Sequence, residues 1–206
     1  PRSTEIDFRL ATWYDNKASE YNPLESDSYK WYKKQAKELC EATIKKMPNT
    51  YGAKQCQNLI YQIETKSLNL TLEEVNEPLK PFRALVSSTN INKLYFKIVK
   101  TSHQELRKVY RKEWGEKLYN ALNSLPSVKV FEQSIEDDKD YQKHQLEIKM
   151  PELPFGHYVV ITSLNPDFKY SNNLVSYAQC VVSNIATMER RREDDGAYDI
   201  YALHRQ

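Results

Sequence analysis

From Tyr29 onward apolar side chains recur at three- and four-residue steps. Tyr29, Tyr32, Ala36, Leu39, Cys40, Thr43 and Met47 fall on one face of a predicted amphipathic helix. Ser26 or Asp27 is placed to cap its start, and Pro48 ends it. Asn49 or Thr50 can cap a second helix, in which Ala53, Cys56, Ile60 and Ile63 form a single stripe. Residues 27–66 therefore read as an antiparallel helical hairpin. The first 22 residues scatter Phe8, Trp13 and Tyr14 among charges with no clean period, which predicts an extended lead-in.

The two prolines of "NEPLKP", residues 76–81, exclude helix and central strand alike and mark a change of regime. Around that point lie short β-branched and aromatic runs: 68–75, 82–87, 93–100, 127–133, 144–150, 157–163 and 174–184. Such runs, separated by turn residues, predict a β-sandwich. One helix near 103–123 interrupts them, with a Ser102/Glu105 capping box and a stripe of Leu106, Tyr110, Trp114, Leu118, Leu122 and Leu125. In "HQLEIKM" Leu146, Ile148 and Met150 alternate with polar residues, so that strand has one dry face. "YVVITS" is apolar on both faces and belongs nearer a sheet centre. Pro151, Pro154 and Gly156 between them predict a short antiparallel hairpin, with His157 opposite Lys149.

Composition is that of an ordinary globular chain, and 30 basic against 28 acidic side chains, thoroughly interspersed, point to no nucleic-acid partner. No apolar run approaches the ~20 residues that cross a bilayer, so no membrane contact is expected of this segment. The cysteines Cys40, Cys56 and Cys180 match no zinc or redox spacing. Cys40 and Cys56 flank the helical turn, where they either close a disulfide or pack as thiols. Cys180 is expected to be a small buried thiol beside Ser176, Ala178 and Val182 on a strand face. His144 and His157 lie too far apart in the predicted hairpin, roughly 17 Å, to share a metal. His103, at a helix start, and His204 have no neighbouring ligand partner in sequence, so all four histidines are expected to be surface or capping residues.

With only four glycines the chain holds no phosphate-cradling loop and no G-x-S-x-G elbow. The acidic run "EDDKD", 136–140, lacks the ligand spacing of a calcium loop and is expected to be a solvated loop. "ERRREDDG", 189–196, compensates its arginines at once and is expected to form a turn region around Asp195-Gly196. Tyrosines are numerous but dispersed, which favours half-buried packing over a sugar-stacking surface. No catalytic residue, cofactor-binding residue or metal ligand is assigned, no cofactor is expected, and the chain is not expected to be an enzyme. A hydrolase would need a concave pocket in which titratable groups converge.

Two resemblances can now be stated. The run "YKKQAKELCEATIKKMPNTYGAKQCQNLIYQI" is similar to one tetratricopeptide unit, and a lone repeat must lean its apolar face on a neighbour. The blocks "KPFRALVSSTNINKLYFKIVK", "DDKDYQKHQLEIKMPELPFGHYVVITS", "NNLVSYAQCVVSNIA" and "YDIYALHRQ", in that order, resemble the N-terminal macroglobulin-domain region of large bacterial alpha-2-macroglobulin-like proteins over roughly residues 45–206. The resemblance implies a mainly β chain with some helix. Its core would be an immunoglobulin-like antiparallel β-sandwich of macroglobulin type over 68–188, into which the residues themselves, and not the vertebrate family pattern, place an inserted helix near 103–123. A lead-in and helical hairpin over 1–67 would precede it, and a strand over 189–206 would lead into a next module. It also implies a non-catalytic structural role in a protease trap of the cell envelope or periplasm. The partners would then be downstream domains of the full-length chain and a target protease. No C-x-E-Q thioester is present, since Cys40, Cys56 and Cys180 are followed by EAT, QNL and VVS. The alternative from another class is an independent glycan- or peptide-binding module, which predicts an exposed apolar or aromatic patch.

Overall fold

The computed structural model describes residues 2–192 and 194–204. The chain divides into two compact units. One comprises Pro1–Ser67, Ser87–Asn92 and Ser134–His144; the other comprises Leu68–Val86, Lys93–Gln133 and Gln145–Gln206. Helix accounts for 32% and strand for 34%, so the protein is mixed helix and β rather than mainly β.

The first unit holds three helices where two were expected: α1 (Arg2–Ala18), α2 (Tyr32–Lys46) and α3 (Tyr51–Glu64). The segment read as an extended lead-in is helical over most of its length. Thr4, Ala11 and Ala18 stand seven residues apart along α1, all buried, and such small residues let a helix approach its neighbours closely. Ala11 packs with Ala36, Cys40, Cys56, Leu59 and Ile63, so α1 is the neighbour that the α2–α3 hairpin needs to cover its apolar face. Helix α2 begins later than Ser26 or Asp27 would place it, at Trp31 with no side-chain cap, after Tyr29 turns the backbone to φ 65°. Thr50 does cap α3, its Oγ1 accepting from the Ala53 amide at 3.3 Å. At the other end Asn90 Nδ2 donates to the Ile63 carbonyl at 2.8 Å, satisfying an orphan acceptor of the last turn.

Gly52 fixes the tightest approach in this unit. A Cβ there would lie 2.4 Å from the carbonyl carbon and oxygen of Thr4, which are main-chain atoms and cannot swing aside. Overpacking of this kind costs about 1–3 kcal/mol or more. Gly52→Ala is therefore expected to lower the stability of the helical unit by at least about 2 kcal/mol, measured by chemical denaturation followed by far-UV circular dichroism. An unchanged midpoint would mean that α1 does not seat on α3 as described.

Most strand residues belong to the second unit; the strands are β1 (Ser67–Leu72), β2 (Val75–Asn76), β3 (Phe82–Thr89), β4 (Lys93–Thr101), β5 (Ser127–Ser134), β6 (His144–Met150), β7 (Gly156–Ser163), β8 (Val175–Val182), β9 (Ile185–Arg191) and β10 (Tyr198–His204). Three sheets result, ordered β1-β3-β6, β2-β8-β7-β4-β5 and β10-β9. The β4–β7, β7–β8 and β9–β10 ladders are antiparallel, whereas the two-residue bridge of β2 to β8 is parallel. The single helix expected near 103–123 is two, α4 (His103–Lys112) and α5 (Gly115–Asn123), broken where Gly115 takes φ 58°.

The expected 150–156 hairpin does not form. Strand β6 belongs to the three-stranded sheet and β7 to the middle of the five-stranded one, so the intervening loop carries the chain from one sheet to another. Alternation of apolar residues says which face is dry but not which strand lies alongside. The loop is pinned by Leu79 N–H to the Leu153 carbonyl and by Tyr158 Oη to the Pro154 carbonyl, both at 2.9 Å.

Strand β7 is buried on both faces from Tyr158 to Ser163, and register assigns the neighbours on each. Val159 and Ile161 share a face with Val99 on β4 and pack under Leu106, Leu118, Tyr119 and Leu122 of the two helices. Tyr158 and Val160 share the opposite face with Ile98, Ala178 and Cys180. Replacing Tyr158 by Ser removes a fully buried ring and should cost about 3–5 kcal/mol. A change in unfolding free energy below about 1 kcal/mol in urea titration would contradict this placement.

The "ERRR" segment, expected as turn, is strand. Residues 189–191 complete β9, which pairs with β10 from Tyr198↔Arg191 to His204↔Ile185. The turn expected at Asp195-Gly196 is present, with Gly196 at φ 70° and the Arg192 amide donating to the Ala197 carbonyl at 2.8 Å.

Candidate functional site

Helix α4 starts at a complete capping box: Ser102 Oγ accepts from the Glu105 amide at 3.2 Å, and Glu105 Oε2 accepts from the Ser102 amide at 3.0 Å. That start sets the helix phase, so His103, Leu106, Arg107 and Tyr110, spaced three, four and seven residues on, share one side. Leu106 anchors that side to the core. Beside it lie His157 at the head of β7, Gln179 to Val181 on β8, and Glu74 and Val75 at β2. Together these residues enclose a groove of about 600 Å³.

Register explains why two histidines distant in sequence meet there. His157 pairs with Thr101 on β4 and Val181 on β8, not with Lys149. Two residues past Thr101 the chain enters α4 at His103, and the two imidazoles stand 6.0 Å apart between ring centroids, tilted 50°. The expectation that His103 has no neighbouring partner was read along the sequence, where the β4–β7 register does not show. The side chains of Glu74, Arg107 and Gln179 engage in no hydrogen bond or ion pair among the described residues, which leaves their polar atoms available to a ligand.

Cys180 also borders the groove, but burial pushes its thiol up to about 11 despite a hydrogen bond with Asn76. At neutral pH it is a thiol and not a nucleophilic thiolate. Burial likewise raises Tyr110, with the nearby Tyr177 adding to the effect. Titratable groups thus converge, the geometric condition set above for a hydrolase; among the described residues neither imidazole is hydrogen-bonded to a thiol, hydroxyl or carboxylate.

The remaining candidates fall elsewhere. Asp140 of the acidic run is not solvated: its side chain is 1% exposed, and its Oδ1 accepts from the Gln142 amide and contacts His144 Nε2, both at 2.9 Å. Gln142 Nε2 donates to the Tyr29 and Lys30 carbonyls, and Lys30 pairs with Asp138 at 2.7 Å, so the run is fastened to the loop before α2. Partners more than a hundred residues distant left no local signal. His204 lies exposed on β10. Cys40 and Cys56 are free, buried thiols in mutual contact at the α2–α3 seam, and burial raises both. Among the described residues no group of three or more His, Cys, Asp or Glu is placed to hold a metal ion, and no helix is long and apolar enough to cross a membrane.

No family model matches the chain, and no curated protein matches it. Among solved structures it is similar to the CARDB domain of a Pyrococcus furiosus protein, in complex with di-metal ions. The identity is 10%, with 57% of this chain and 92% of that one covered and a TM-score of 0.32. At that level of agreement nothing about this chain follows.

All three thiols are expected to resist iodoacetamide in the folded protein near neutral pH and to react fully in denaturant, read by mass spectrometry. Rapid labelling of Cys180 in the folded state would contradict its burial and its raised pKa.

Proposed function

We propose that the protein is a non-catalytic structural module of an alpha-2-macroglobulin-like protease trap of the cell envelope. Its three- and five-stranded sheets would stack as an immunoglobulin-like sandwich of macroglobulin type, and it would position further modules of the same assembly. The ordered sequence blocks from "KPFRALVSS" to "YDIYALHRQ" support that reading, and one structural observation carries it. Strands β9 and β10 form a two-stranded sheet separate from the other two, with large apolar side chains exposed on both faces. Register puts Ile185, Tyr198 and Ile200 on one face and Met188, Tyr201 and Leu203 on the other. An isolated pair of strands is marginal in water, and apolar faces of this kind are completed by other strands or another layer. In this reading the ribbon is the first part of a neighbouring module.

The test places Met188→Asp and Tyr201→Asp together in the polypeptide that the whole gene encodes. The parent protein should retain added trypsin on a native gel while leaving it active on a small peptide substrate. The double variant should lose retention, while the isolated 206-residue chain carrying the same changes melts within about 2 °C of the parent, as substitutions outside the core do. Failure of the parent to retain any protease would overturn the reading.

A second reading, an independent peptide- or small-ligand-binding module, is favoured by the α4–β8 groove and its unengaged polar groups.

A further inference from the structure

We propose that the groove between α4 and β8 is a binding site for a small carboxylic acid that carries an apolar group, with Arg107 and the His103/His157 pair receiving the carboxylate. Three observations carry this. The volume, about 600 Å³, suits a small organic molecule and is generous for a bare ion. The lining is mixed: Val75, Leu106 and Val181 offer apolar surface beside the polar groups of Glu74, His103, Arg107, His157 and Gln179. Those polar groups are also unsatisfied by the protein. Among the described residues Arg107 has no carboxylate partner, neither imidazole has a hydrogen-bond partner, and Gln179 makes no side-chain hydrogen bond.

Charge complementarity chooses the ligand's sign. The polar groups that line the groove with the imidazoles are Arg107 and Tyr110 on α4, Glu74 beside β2 and Gln179 on β8, with Thr101 paired to His157 on β4 and Cys180 on the opposite face of the sheet. Glu105 is turned to Ser102 and Thr101 in the capping box. Cys180 and Tyr110 are neutral near pH 7. Arg107 brings the groove a guanidinium with no carboxylate partner among the described residues, against the single carboxylate of Glu74. The two imidazoles, 6.0 Å apart between ring centroids, and the Gln179 amide add N–H donors from which an anion can accept. A guanidinium also takes a carboxylate through two parallel N–H···O bonds, which fixes its orientation. Glu74 works against the anion.

The test is a titration of the 206-residue chain, labelled with nitrogen-15, with N-acetyl-L-phenylalanine and separately with its amide. The acid should shift the amide resonances of residues 103–110, 157 and 179–181, and the amide should bind at least about tenfold more weakly. Arg107→Gln, at an exposed position that the fold does not use, should weaken the acid roughly tenfold or more, since hydrogen bonds to charged groups contribute that much. Glu74→Gln should tighten it. Equal binding of acid and amide would overturn the proposal. So would affinity indifferent to Arg107→Gln, shifts centred elsewhere, or zinc ions perturbing these residues while the acid does not.

Discussion

A strand with no wet face needs cover from two directions, and β7 is that strand. From Tyr158 to Ser163 every residue is buried, and each large apolar side chain removed from water contributes about 1.5–3 kcal/mol. Strands β4 and β8 take up its main-chain hydrogen bonds on both edges. Helices α4 and α5 cover the Val159/Ile161 face, held by polar ties as well as apolar contact. Tyr119 Oη and Asn123 Nδ2 both donate to the Phe168 carbonyl, at 2.9 and 3.0 Å. Lys97 Nζ reaches from that same face to the Asn123 carbonyl at 2.6 Å, and burial without a nearby carboxylate lowers its pKa. The groove at the end of α4 is a product of this cover, since the helix that shields Val159 and Ile161 also brings His103 beside His157.

The helical unit obeys a different constraint. Its seam is built from Thr4, Ala11, Ala18, Ala36, Gly52 and Ala53, side chains small enough for helix backbones to approach closely, with Cys40 and Cys56 filling the space between α2 and α3. Around its edge Trp13, Tyr14, Tyr29 and Tyr32 stack edge to face, a polar-rimmed aromatic cluster that orders the turn into α2.

Much of the secondary structure was legible because it is written locally. The Ser102/Glu105 box, the Thr50 cap, the break at Pro48, the two-faced apolar run of β7 and the Asp195-Gly196 turn each depend on residues within a few positions of one another. Helix α1 was missed because its buried positions are mostly small: Thr4, Ala11 and Ala18 form a seven-residue series that a search for large apolar side chains passes over. Strand partnership was misread because β6 and β7 are close in sequence and each has a plausible dry face, while the choice of neighbour is settled by what else must be covered. His103 and His157 are joined only through the β4–β7 register, and nothing within either residue's own neighbourhood announces it. Asp140 was taken for solvent because its partners in the loop before α2 lie more than a hundred residues away.

What emerges is a protein in which one strand is shielded from every side while another pair, β9 and β10, is left with apolar faces open. Native-state hydrogen exchange on the 206-residue chain tests this most directly. Amides of β7 should exchange only through global unfolding, the slowest in the protein, while those of β9 and β10 exchange orders of magnitude faster through local opening. Protection in the β9–β10 ribbon equal to that of β7, or fast exchange at Val159 to Ile161, would contradict the account.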